Sequence, residues 1–204
     1  MVVNTTMSID AGDALVRALH DHNPWWEHGT SAFSLPSRQK SDFYHLARPG
    51  KSGSQIEDQP LFGLVGRRGV GKTTLLRQFI YHRIEDGAEP ELFLYLPFDA
   101  DPLYQLQSDE QLRRAVRYYE SRILGRIETD QPQFILLDDV HQIEHPNKPT
   151  IDGWGIPVAE LLADSTDRYI VVTASAPVQI ERELESVSIS ADDYAIQPVL
   201  PEKF

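Results

Sequence analysis

From residue 60 onward, short apolar runs alternate with segments whose apolar residues recur every three or four positions. Five runs read as strands: LFGLV at 61–65, ELFLYLPF at 91–98, FILLDDV at 134–140, YIVVT at 169–173 and YAIQPV at 194–199. Pro198 and Pro201 bar the last of them from a central place, because proline has no N–H to give a ladder. The intervening segments read as helices. Leu75, Leu76, Phe79, Ile80 and Ile84 share one face of a helix that stops near Gly87. Leu112, Ala115, Val116, Tyr119, Ile123 and Ile127 define a second, opened by a capping box at 108–111. Two shorter ones cover 156–163 and 180–184. Strand and helix in alternation predict an α/β fold of three layers around a mostly parallel sheet.

The first 58 residues follow a different pattern. Ile9, Leu15, Val16, Ala18 and Leu19 suit a short amphipathic helix that ends before Pro24, since the residue before a proline avoids helical angles. Asn23-Pro24-Trp25-Trp26 follows, outside any periodic segment, and its two indoles are expected to lie on the core as a clasp. A second short helix is expected at 42–46, and 51–60 reads as a polar connection. The expected organisation is an N-terminal helical and irregular extension over 1–58 and an α/β core over 59–204.

The junction of the first strand and first core helix carries the chemistry. Gly66-Arg67-Arg68-Gly69-Val70-Gly71-Lys72-Thr73 matches G-x-x-x-x-G-K-[ST] at every fixed position, with a strand before it and a helix after it. A triphosphate needs several N–H donors aimed into one small volume. Gly66 and Gly71 allow the tight backbone path that a side chain would block. The helix that follows turns its free N–H groups, those of Thr73 and Thr74 among them, toward the phosphates. Lys72 reaches the β and γ phosphates as a point charge, and the Thr73 hydroxyl can ligand Mg²⁺. ATP and Mg²⁺ are therefore the expected ligands.

A second element completes such a site. The run FILLDD is an apolar strand ending in two carboxylates, and ligands of open α/β sheets lie beyond the carboxyl ends of the strands. Asp138 is expected to hold Mg²⁺, and Asp139 to act on the attacking water. Thr173, closing YIVVT, is the next polar group at a strand end, placed to bond the γ-phosphate or that water.

Composition narrows the setting. The 204 residues carry 31 Asp and Glu against 19 Lys and Arg, a formal charge of −12. Such a surface argues against nucleic acid or an anionic membrane as the main ligand. With lysine scarce beside arginine, it is similar to the surfaces of proteins from salt-loving archaea. No cysteine is present, which excludes disulfides, thiolate zinc sites and cysteine nucleophiles. No apolar run approaches membrane-spanning length and no secretory segment opens the chain, so a soluble, cytoplasmic protein is expected.

Together, NPWW, GRRGVGKTTLLRQFI, LFLYLPFDAD, FILLDDVHQI, YIVVTAS and QPVLPEKF resemble the archaeal and bacterial AAA+-type ATPases that carry a nuclease-like C-terminal domain. The resemblance spans nearly the whole chain. It implies an ATPase core of sheet order 5-1-4-3-2, with Lys72 and Thr73 on phosphate and Mg²⁺, Asp138 on Mg²⁺, Asp139 as catalytic acid and Thr173 at the sensor position. The family usually has Glu where this chain has Asp139, and Thr-Gly-Ser where it has Thr173-Ala174-Ser175. Family members continue past the segment similar to QPVLPEKF, so an ATPase core without its effector domain is expected.

Other readings are weaker. A guanine-reading N-K-x-D fails at Thr150, and the zinc pattern H-x-x-E-H at 141–145 falls in an expected loop ending at Pro146. Arg113, Arg114, Arg117, Arg122 and Arg126 stand at the spacing of a solvated helix face, although a P-loop kinase would use arginines there as a lid. An ATP-dependent switch with little hydrolysis, acting on an unidentified protein partner, is the non-enzymatic alternative.

Overall fold

The computed structural model describes residues 11–34, 59–98, 109–140 and 154–199. The readings at 42–46, 141–145 and Thr150 lie outside these residues, as does Ser108 of the capping box.

Among the described residues two helices precede the sheet: α1 (Ala11–His22) and α2 (Trp25–His28), the latter continued by a 3₁₀ turn over Gly29–Ala32. Then come β1 (Leu61–Val65), α3 (Lys72–Glu85), β2 (Phe93–Pro97), α4 (Asp109–Arg122), β3 (Gln133–Asp138), α5 (Gly155–Asp164), β4 (Arg168–Ala174), α6 (Pro177–Ser186) and β5 (Tyr194–Pro198). The sheet order is β2-β3-β4-β1-β5. This is the order implied by the family resemblance, and every strand pair in it is parallel. No described helix is long and apolar enough to cross a membrane.

The strand runs are apolar at consecutive positions because both faces of a parallel sheet are covered by helices. All five residues of β1 and of β2 are buried. Phe93, Phe134 and Tyr169, side by side on β2, β3 and β4, stack with centroids 5.4 Å apart at each step. The predicted second strand is shortened at its start, because Pro90 begins a 3₁₀ turn over Pro90–Leu92. The third strand ends at Asp138, since Asp139 takes φ +56° and leaves the ladder. Pro198 does end an edge strand, where its missing N–H costs no ladder bond.

Two readings change in detail. Trp25 and Trp26 lie in a one-turn helix rather than outside regular structure. They do form the expected clasp: both are buried, and both indole Nε1–H groups donate to the carbonyl of Phe93, at 3.2 and 2.8 Å. Arg113 is more than a solvated side chain. It is half-buried and paired with Glu160 at 2.7 Å, joining α4 to α5, whereas Arg114, Arg117, Arg122 and Arg126 are exposed.

Candidate functional site

The parallel register sets the site. Val65 lies opposite Ala174 and one residue beyond the Leu64–Thr173 pair, so β1 and β4 end together. Asp138 lies opposite Pro97 at the end of β2. Consequently the loop after β1, the acids at the end of β3 and the hydroxyl of β4 meet along one edge, although 65 residues separate Thr73 from Asp138.

The turn from β1 into α3 is built on glycine. Gly71 caps α3 with φ +104° and Gly69 has φ +80°, values that residues with a Cβ seldom adopt. At Gly66 the reason is space: an added Cβ would stand 2.8 Å from the carbonyl oxygen of Val199 and 2.9 Å from Val70 Cγ1. The loop is anchored on both sides. Gly66 N–H donates to the Ala174 carbonyl at 3.2 Å, and Val199 N–H to the Val65 carbonyl at 2.7 Å. Arg67 and Arg68 are exposed at the loop's outer side, and Val70 and Thr74 are half-buried.

Lys72 is 6% exposed and its Nζ donates to the Gly66 carbonyl at 3.0 Å, so the ammonium is folded back into the loop it follows. Asp139 Oδ1 stands 3.8 Å from the same nitrogen. Asp138 is 1% exposed, and a carboxylate so buried needs hydrogen-bond donors. Three hydroxyls supply them. Thr73 Oγ1 reaches Oδ2 at 2.6 Å, Tyr95 Oη reaches the same oxygen at 2.8 Å, and Thr173 Oγ1 donates to Oδ1 at 2.5 Å. The Thr173 oxygen also accepts the backbone N–H of Asp139 at 2.8 Å, so one buried hydroxyl orders both acids.

Lys72, Thr73, Asp138, Asp139 and Thr173, singled out on residue type and spacing, thus form one bonded cluster at the foot of α3. Tyr95 was not among them. In the run FLYLP a tyrosine reads as core, and only the pairing of β2 with β3 turns its hydroxyl to the acid. Thr73, Thr74 and Arg77 also border a cavity of about 340 Å³ whose other wall includes His22, Trp25 and Phe33 of the N-terminal segment. The donor set at Asp138 and Thr73 is all oxygen, which suits a hard cation such as Mg²⁺.

Residues 58–202 match the family model described as "AAA domain". Among solved structures the chain is similar to that of C. elegans PCH-2, at 16% identity and a TM-score of 0.43. That match covers 92% of this chain and spans 45% of the other. No curated protein matches.

Proposed function

The chain belongs to the AAA domain family of nucleotide-binding P-loop ATPases, and on that premise we propose that it binds ATP with Mg²⁺ and hydrolyses it. The observation that carries the reading is the 2.6 Å bond between Thr73 and Asp138. It joins the hydroxyl of the glycine loop to a buried acid of another strand, the pair that would hold the cation. When bound, Mg²⁺ supplies charge neutralisation at the phosphate oxygens.

The chain's own residues do the rest. The amides from Gly66 to Thr74 line the phosphate position, and α3 adds the positive end of its dipole. Lys72 exchanges the Gly66 carbonyl for a phosphate oxygen, a stronger acceptor for a buried ammonium. Asp139, held by its backbone bond to Thr173, orients and deprotonates the attacking water. Membership of the branch with a nuclease-like C-terminal domain is part of the same proposal and rests on the NPWW, P-loop and QPVLPEKF segments.

Isothermal titration and phosphate release test it together. Wild type should bind ATP and release phosphate. Lys72→Ala should lose binding by about 100-fold or more, the worth of a charge-assisted bond in a dry site. Asp139→Asn should keep binding yet fall to the Lys72→Ala background in turnover. Equal turnover in wild type and Asp139→Asn would remove that acid from its role, and undiminished binding by Lys72→Ala would reject the site.

A further inference from the structure

Asp138 receives three hydroxyl groups, and two of them belong to segments already read as machinery. The third is Tyr95, on β2, a residue to which the sequence reading gave no role. Its position is unusually well specified. Among the described residues β2 is an edge strand, and the side of it turned from β3 has backbone groups that no described strand pairs. Asn23 fills that vacancy at one residue: its Oδ1 accepts the Tyr95 N–H at 2.6 Å, and its Nδ2 donates to the Tyr95 carbonyl at 3.0 Å. Two positions earlier on the strand, the Trp25 and Trp26 indoles close on the Phe93 carbonyl. The Tyr95 ring lies near Trp25, with centroids 6.3 Å apart, and under the Arg77 guanidinium at 5.8 Å. The elements that hold Tyr95 from outside therefore come from residues 23–26, which precede the region matched by the family model.

We propose that Tyr95 is a positioning residue of the nucleotide site: its hydroxyl fixes the carboxylate of Asp138, and the Asn23–Trp26 clasp fixes Tyr95. This rests on the ATP and Mg²⁺ reading given above. The physical need arises from Thr73. In that reading its hydroxyl turns from Asp138 toward the cation, which takes one donor away from Oδ2. The terminal torsion of an aspartate is broad and roughly two-fold, so a carboxylate without fixed donors on both oxygens samples many orientations. Thr173 holds Oδ1, and Tyr95 is the donor that stays on Oδ2. Its phenol is buried and its backbone is clamped by Asn23, which restricts how far the hydroxyl can move. The N-terminal segment thereby reaches the metal-holding acid through two links, Asn23 to the Tyr95 backbone and the Tyr95 hydroxyl to Asp138.

The test is a Mg²⁺ titration of the full chain with a fluorescent ATP analogue, read as nucleotide bound rather than as turnover. Tyr95→Phe keeps the ring and removes only the hydroxyl. The expected result is unchanged affinity in EDTA, with the Mg²⁺ concentration for half-maximal enhancement raised about tenfold, as for other residues that orient a metal ligand. Asn23→Ala, with the hydroxyl intact but the strand unclamped, should shift the same midpoint in the same direction by a smaller factor. Leu184→Ala, in the core beneath α6, destabilises by loss of packing and should leave the midpoint where it is. Superimposable Mg²⁺ curves for wild type and Tyr95→Phe would overturn the inference alone. So would a Leu184→Ala shift as large, since stability would then account for it. A wild type that binds no nucleotide rejects the proposed function, and this inference with it.

Discussion

Thr173→Val is the most informative single change, because valine keeps the shape of threonine and replaces only the hydroxyl. Thr173 is fully buried, so water cannot stand in for what is lost. Two bonds go at once: the 2.5 Å donation to Asp138 and the 2.8 Å acceptance from the Asp139 N–H. A hydrogen bond to a charged group is worth about 1.5–3 kcal/mol, and a buried N–H deprived of its acceptor costs about 1–3 kcal/mol. Shared relaxation of the two acids makes the terms less than additive, giving about 3 kcal/mol in all. For a chain of 204 residues that corresponds to a fall in Tm of about 6–12 °C. Thr173→Ser retains both bonds and loses one methyl group, so it should fall by much less. Calorimetry on the three proteins at one pH measures the difference. A Thr173→Val melting point within about 2 °C of wild type would refute the bonding argument, and a Thr173→Ser protein as unstable as Thr173→Val would assign the effect to packing instead.

Further predictions concern the rest of the molecule. The Tyr119 hydroxyl is buried without a hydrogen-bond partner among the described residues, and burial pushes its pKa well above the ordinary 10.0. Tyr119→Phe should therefore be neutral or stabilising by up to about 1 kcal/mol, measured by urea denaturation. Because the folded-state pKa is the raised one, the unfolded state loses its Tyr119 proton first and stability falls as pH rises above 10; the Phe variant should decline less steeply in that range, and equal slopes would contradict this. The charge of −12 is self-repulsive, and molar KCl shortens the screening length to about 3 Å, so Tm should rise from low to molar KCl by more than about 2 °C. A flat or falling Tm would remove the halophilic reading of the surface.

Much of the candidate phosphate site is local in sequence. A glycine loop between one strand and one helix is contiguous, so its spacing determined where Lys72 and Thr73 would stand, and the structure has a strand at Leu61–Val65 and a helix from Lys72. The strand runs were legible for the same reason: a parallel sheet covered on both faces leaves unbroken apolar stretches, and their carboxyl ends identify the polar residues worth watching. The sequence by itself therefore determined the fold class, the loop chemistry and the candidate acids. Which groups bond to those acids depends on register between strands far apart in the chain, and that was decided only by tertiary structure. Tyr95 is the clear case, since a phenol within a buried run has no sequence signal separating a core ring from a donor aimed at Asp138. Asn23 is another: an asparagine before a proline reads as a turn, and only the edge of β2 turned from β3 gives its amide a backbone to complete.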